Sequence, residues 1–70
     1  MKNTDKILEN AKRHFQETKK DTYEHATSKF ALHVAIAIKH FEENLERQAK
    51  GEKLKDMTVK ELEKHFGKDL

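Results

Sequence analysis

The sequence contains no cysteine and no proline, and it has only two glycines in 70 residues. Without cysteine the chain can form neither a disulfide nor a thiolate metal site. The absence is also typical of a reducing compartment, so we expect a cytoplasmic protein. Because proline and glycine are the residues that most disfavour a helix, almost nothing in this chain forces the backbone out of one.

Long apolar segments are also missing. The apolar stretch free of formal charge covers residues 30–38, far short of the roughly 20 residues that span a bilayer. Residues 1–6 lead into a charged segment, which does not resemble a signal peptide. The 15 basic and 13 acidic residues are interleaved, which is typical of a solvated surface of mixed charge. We therefore expect a soluble protein that does not contact membranes.

The apolar residues that are present recur every three or four positions, which predicts helices. We expect an all-α fold, a small bundle of three helices in one domain over residues 1–70. The helices should cover about residues 4–19, 22–50 and 58–66. A central helix of about 43 Å is longer than a compact chain of this size needs, so we expect the bundle to self-associate.

Local signals place the ends of these helices. Asp21 and Glu24 resemble a capping box at the start of the central helix, although one unbroken helix through the first two segments is the alternative. Gly51 is typical of the residue that follows a helix C-terminus. Thr58 and Glu61 predict a capping box at the start of the third helix.

The predicted central helix is apolar on two sides. We expect the other two helices to cover its main stripe, which consists of Tyr23, Thr27, Phe30, Val34, Ile38, Phe41 and Leu45. Leu32 and Ile36 fall roughly opposite Val34 on a helical wheel and should remain outside. A chain of this length buries only roughly 60% of its unfolded surface, so it should not hide both faces.

These two outward residues suggest a function. Leu32 and Ile36 would anchor another protein or a second copy of this chain, with a homodimer expected. The polar rim of that site would consist of Lys29, His33, His40 and Glu43. The leading hypothesis is a small non-enzymatic interaction module, such as an inhibitor, adaptor or regulatory subunit. In the alternative interpretation, the same chain covers the two residues, or their exposure has no significance.

A second hypothesis is a nucleic-acid-binding accessory protein. A basic patch near the end of the first helix would contact phosphates, and an adjacent tyrosine would stack on a base. The residues concerned are Lys12, Arg13, Lys19, Lys20 and Tyr23. In the alternative interpretation this is an ordinary solvated surface, because acidic residues are interspersed among the basic ones.

Catalysis and cofactor binding find little support. Three of the five histidines share one side of the central helix, but they are seven or eight residues apart. Two histidines of one helix need a spacing of three or four to bind the same metal ion. The sequence has no phosphate-binding glycine loop and no nucleophile motif. We therefore expect no enzymatic activity, no metal and no cofactor.

Overall fold

Within the residues that the structure describes, the protein consists of three helices and contains no strand. A computed structural model describes residues 2–67, with side chains from residue 4 onward. The helices are α1 (Lys2–Glu17), α2 (Tyr23–Ala49) and α3 (Val59–Phe66). The predicted all-α fold with a long central helix is confirmed. The predicted helix ends agree with the observed ones to within two residues.

The chain reverses between α1 and α2 at a residue with left-handed backbone geometry. Asp21 has φ 65°, a conformation that aspartate tolerates better than most residues other than glycine. Thr22 is the N-cap of α2, and its hydroxyl accepts a hydrogen bond of 3.1 Å from the backbone N–H of His25. The predicted cap at Asp21 is therefore one residue early, because Asp21 forms the turn itself. The alternative of one unbroken helix is wrong.

The connection from α2 to α3 begins at Gly51, where φ is 75°, as predicted for the residue after the helix. The Asn44 side chain of α2 then holds the connection by two hydrogen bonds. The Asn44 side-chain amide donates to the carbonyl of Lys55 at 2.8 Å, and its oxygen accepts from the N–H of Lys55 at 3.1 Å. This pair of bonds, called the Asn44 clamp below, fixes the path of the chain toward α3.

Only one of the two hydrogen bonds of the predicted capping box of α3 is present among the described bonds. The Thr58 hydroxyl accepts from the N–H of Glu61 at 3.3 Å. The Glu61 carboxylate lies 3.2 Å from Nδ1 of His40 on α2, and the described bonds include none from it to the backbone of Thr58. Glu61 therefore contributes to the attachment of α3 to α2.

The hydrophobic core lies between one face of α2 and the other two helices. It consists of Leu8 and Phe15 from α1, Leu32, Ala35 and Ile36 from α2, and Phe66 from α3. The ring of Phe15 stacks on the ring of His25 with centroids 4.6 Å apart, and meets Phe66 edge-on at 5.4 Å. Phe66 is the buried residue of α3, so it anchors that helix.

The face of α2 that lies in the core is the opposite of the predicted one. Leu32 and Ile36 are 0% and 2% exposed, so the prediction that they stay outside is wrong. The physical reason is the size of the side chains on the two faces of α2. Ala35 and Ser28 are small and lie beside Leu32 on the buried face, so α1 can approach closely. The main stripe instead presents bulky side chains such as Phe30, which would hold a neighbouring helix further away.

Polar contacts at the turn favour the same face. The Thr18 hydroxyl donates to the carbonyl of Phe15 at 2.9 Å, and its oxygen lies 3.0 Å from both Nδ1 of His25 and Oγ of Ser28. Ser28 is 2% exposed and also donates to the carbonyl of His25 at 2.8 Å. Among the described side chains, no buried nitrogen or oxygen lacks a hydrogen bond. This network joins the end of α1 to the first turns of α2.

An ion pair joins the start of α1 to the second half of α2. The Lys39 ammonium lies 2.6 Å from the carboxylate of Asp5. Its hydrogen bond and its charge hold the pKa of Asp5 below the usual range. Burial lowers the pKa of His65, and the positive charges of Lys12, Lys64 and Lys39 lower it further.

These pKa shifts predict how stability depends on pH. Because the folded chain protonates His65 less readily than the unfolded chain, stability should be complete above pH of about 6.5 and fall as acid is added. His65→Gln should flatten that decline between about pH 7 and pH 5, as measured by urea unfolding. Asp5→Asn, the control, should leave the slope of stability between pH 7 and pH 5 unchanged and flatten only the decline below about pH 4, which follows from the lowered pKa of Asp5. An unchanged decline in His65→Gln would contradict the assignment.

Candidate interaction surface

The side of α2 that faces away from the core is apolar and uncovered. We call it the bare face, and it consists of Tyr23, Thr27, Phe30, Val34, Ile38, Phe41 and Leu45. Tyr23 is 83% exposed, Phe30 73% and Phe41 65%. These are large fractions for aromatic side chains, which normally bury most of their area. The bare face is the stripe that the sequence predicted to be core.

The bare face is uncovered because the protein is thin. Its Cα atoms extend 43 × 23 × 14 Å. The smallest dimension corresponds to two layers of helices, whose axes lie about 8–10 Å apart. Both α1 and α3 contribute side chains to the core beside Leu32. Within residues 2–67 no further element remains to cover the opposite side of α2.

The middle of the bare face forms a shallow groove. It is lined by Phe30, His33, Val34, Ala37, Ile38 and Phe41. The two phenylalanines stand at its ends, about 16 Å apart along the helix axis. Ala37 leaves space between the larger side chains. None of the lining residues carries a formal charge, so an apolar partner could displace water here without burying an unpaired charge.

The edges of the bare face differ in character. Helical geometry places Glu24 and Glu42 along one edge, and His33 and Asn44 along the other. The Glu42 carboxylate accepts a hydrogen bond of 3.2 Å from the Thr4 hydroxyl. The surface is therefore an apolar strip with one acidic edge and one uncharged polar edge.

The predicted binding residues do not surround a common exposed anchor. The two central residues, Leu32 and Ile36, are inaccessible in the folded chain. The four rim residues lie at different places on α2: they are Lys29, His33, His40 and Glu43. His40 is half-buried between Glu61 and Asn44. Glu43 lines a separate polar depression with Arg47. His33 is the rim residue that lines the groove of the bare face.

The residues of the alternative nucleic-acid site are spread over α1, the turn that follows it and the start of α2. Lys12 is half-buried in a depression that Asp5 and Glu9 also line. The Arg13 guanidinium donates to the Asn10 side chain at 3.0 Å. Lys19 and Lys20 lie in the turn between α1 and α2, and Tyr23 begins the bare face. Lys12 therefore lies among acidic groups rather than in a purely basic patch.

The sequence signal for the bare face has two interpretations. Apolar residues at helical spacing predict a contact, but they do not say whether the contact is within the chain or with another molecule. The informative signal was the aromatic content, since Phe30, Phe41 and Tyr23 all fall on this side of α2. Aromatic residues are enriched at protein interfaces.

Other kinds of site receive no support from the described part of the chain. It contains no group of three or more histidine, aspartate or glutamate side chains placed to hold a metal ion. Within residues 2–67, no helix combines the length and the apolar character that crossing a bilayer requires. No protein-family model, curated protein or solved structure matches this chain.

Proposed function

We propose that this protein is a small non-enzymatic interaction module that binds a protein chain through the bare face of α2. The observation that carries the proposal is the exposure of Phe30 and Phe41 on a continuous apolar strip. The large side chains of the bare face present roughly 700 Å² of surface, if an exposed aromatic residue offers about 200 Å². The largest apolar patch of a typical monomer is about 300–600 Å².

The chemistry of the strip favours a protein partner. Interfaces between proteins have apolar, aromatic-rich centres from which charged residues are depleted, and the groove of the bare face has this composition. A membrane-surface helix needs basic residues beside its apolar face, whereas Glu24 and Glu42 border this one. Phosphate recognition needs clustered positive charge, which the bare face does not offer.

The mode of binding follows from the geometry. A straight helix with an exposed apolar strip packs against a groove or against another helix, with anchors spaced three, four and seven residues apart. The module would act by stoichiometric contact, as an inhibitor, adaptor or regulatory subunit does. Its α1 and α3 would hold α2 in helical form before binding, which lowers the entropic cost of association.

Site-specific photocrosslinking in the native host tests this proposal. A photoreactive phenylalanine analogue at Phe41 should give light-dependent protein adducts. The same analogue at Val59, an exposed apolar residue of α3, should give few or none. Adducts from Phe41 should also disappear when Val34→Glu is added to the same chain, because the charge would disrupt the strip. Equal adduct yields from Phe41 and Val59 would contradict the proposal.

A further inference from the structure

We infer that the partner on the bare face is a second copy of this chain, packed antiparallel with the two-fold axis at Val34. The inference deepens the proposed function, because it depends on the same face and adds the identity and the direction of the partner. Three properties of the bare face carry it: the spacing of its residues, the match of their sizes and the area that they offer.

The spacing of the bare face reads the same in both directions. From Tyr23 to Leu45 the intervals between successive members are 4, 3, 4, 4, 3 and 4 residues, with Val34 at the centre. A two-fold interface brings the same patch of both copies together, so the patch must be complementary to itself. In an antiparallel pair centred on Val34, every residue of the bare face would therefore lie at the level of a residue of the partner's bare face.

The sizes of the paired side chains also fit. Phe41 would lie at the level of the partner's Thr27, so a large side chain meets a small one. Phe30 would meet the partner's Ile38, and Tyr23 the partner's Leu45. In a parallel pair each phenylalanine would meet its own counterpart, and Thr27 would meet the partner's Thr27. Alternating large and small residues packs more densely, and antiparallel helix dipoles attract each other.

The bare face is straight enough to be buried along its whole length. Tyr23, Val34 and Leu45 are 11 residues apart, as are Phe30 and Phe41. An 11-residue repeat corresponds to about 3.67 residues per turn, close to the 3.6 of an α-helix, so the strip stays on one side of α2. Two copies would present roughly 1,400 Å² together, within the range of about 1,200–2,000 Å² that stable interfaces bury.

One kind of contact, made twice by the two-fold symmetry, opposes the antiparallel pair. Glu24 would lie near the partner's Glu42 along the acidic edge. Both residues lie at the rim of the strip, where solvent and salt weaken the repulsion. The association should therefore weaken at low ionic strength, whereas binding to nucleic acid strengthens there.

The molar mass in solution tests the presence of a second copy. Sedimentation equilibrium of the wild type at roughly 100 µM should give twice the 8.3 kDa of one chain, which corresponds to a dissociation constant in the micromolar range. Val34→Glu should raise that constant at least 100-fold. Val59→Glu is the matched control, because it places the same charge at an exposed valine outside the bare face and should leave the dimer intact. Circular dichroism should show that all three proteins are helical.

Two single-cysteine variants test the direction, since the chain has no cysteine of its own. A mixture of Thr27→Cys and Phe41→Cys should form a disulfide-linked pair in a redox buffer. Thr27→Cys alone should not form one. In an antiparallel pair, position 27 of one copy and position 27 of the other lie about 21 Å apart along the axis. A disulfide in Thr27→Cys alone would show a parallel pair and overturn the inference. A dimer without any cross-link in the mixture would overturn it too.

The inference and the proposed function can fail separately. A wild-type mass of 8.3 kDa under these conditions would exclude a dimer and overturn the inference. If the photoadduct at Phe41 then has a mass other than that of two chains, the bare face is an interaction site for a different protein and the proposed function survives. Binding of the monomer to vesicles of anionic phospholipid, without photoadducts to protein, would overturn both.

Discussion

Leu32→Ala is expected to destabilise the fold by about 3–5 kcal/mol, because the replacement leaves a cavity between all three helices. Leu32 is 0% exposed, so the structure can relax around it only in part. A domain of 70 residues has a total stability of roughly 4–10 kcal/mol. The variant should therefore be largely unfolded or have a melting temperature tens of degrees lower, as measured by circular dichroism.

The matched control for this experiment is Leu54→Ala. Leu54 lies in the connection between α2 and α3 and is 53% exposed, so the same replacement there should cost less than about 1 kcal/mol. It also lies outside the bare face, so a change in oligomeric state does not confuse the comparison. Equal melting temperatures for Leu32→Ala and Leu54→Ala would show that the core is not where the structure places it.

Phe66→Ala is expected to destabilise the chain by about 3–5 kcal/mol and to release α3 first. Phe66 is the buried residue of α3, and its ring meets Phe15 edge-on at 5.4 Å. Without this anchor, α3 keeps the half-buried Leu62 against the core and the Glu61–His40 pair. Hydrogen exchange should show lost protection in residues 59–66, while the amides of α1 and α2 keep more of theirs.

Val59→Ala is the control for α3, because it truncates an exposed side chain of the same helix. It should change stability by less than about 0.5 kcal/mol. If Phe66→Ala instead lowered protection equally in all three helices, α3 would be an inseparable part of one cooperative unit. That result would contradict the expectation that α3 detaches before the other two helices.

The helix boundaries could be predicted because their signals are local. Gly51 and Thr58 act through backbone geometry and hydrogen bonds within a few residues, and the structure confirms the helix ends that both predict. The predicted start of α2 is one residue early, because Asp21 and Thr22 are both good caps. Their roles were decided by the turn, in which Asp21 takes a positive φ.

The choice between the two faces of α2 could not be predicted from a helical wheel. It depends on contacts between residues far apart in the sequence, such as Thr18 with Ser28 and Asp5 with Lys39. A wheel records which residues share a side of α2 but carries no information about α1. The same limit applies to the candidate site. The periodic pattern identified its residues, but their exposure depends on where α1 and α3 pack.

The Asn44 clamp has a consequence beyond the path of one loop. If it released Lys55 and α3 detached, α2 would expose apolar side chains of its core face as well as those of the bare face. Molecules with one self-complementary surface form a closed dimer. Molecules with two apolar surfaces can associate repeatedly and form fibres. By keeping the third helix in place, one asparagine side chain would help to keep any assembly of this protein finite.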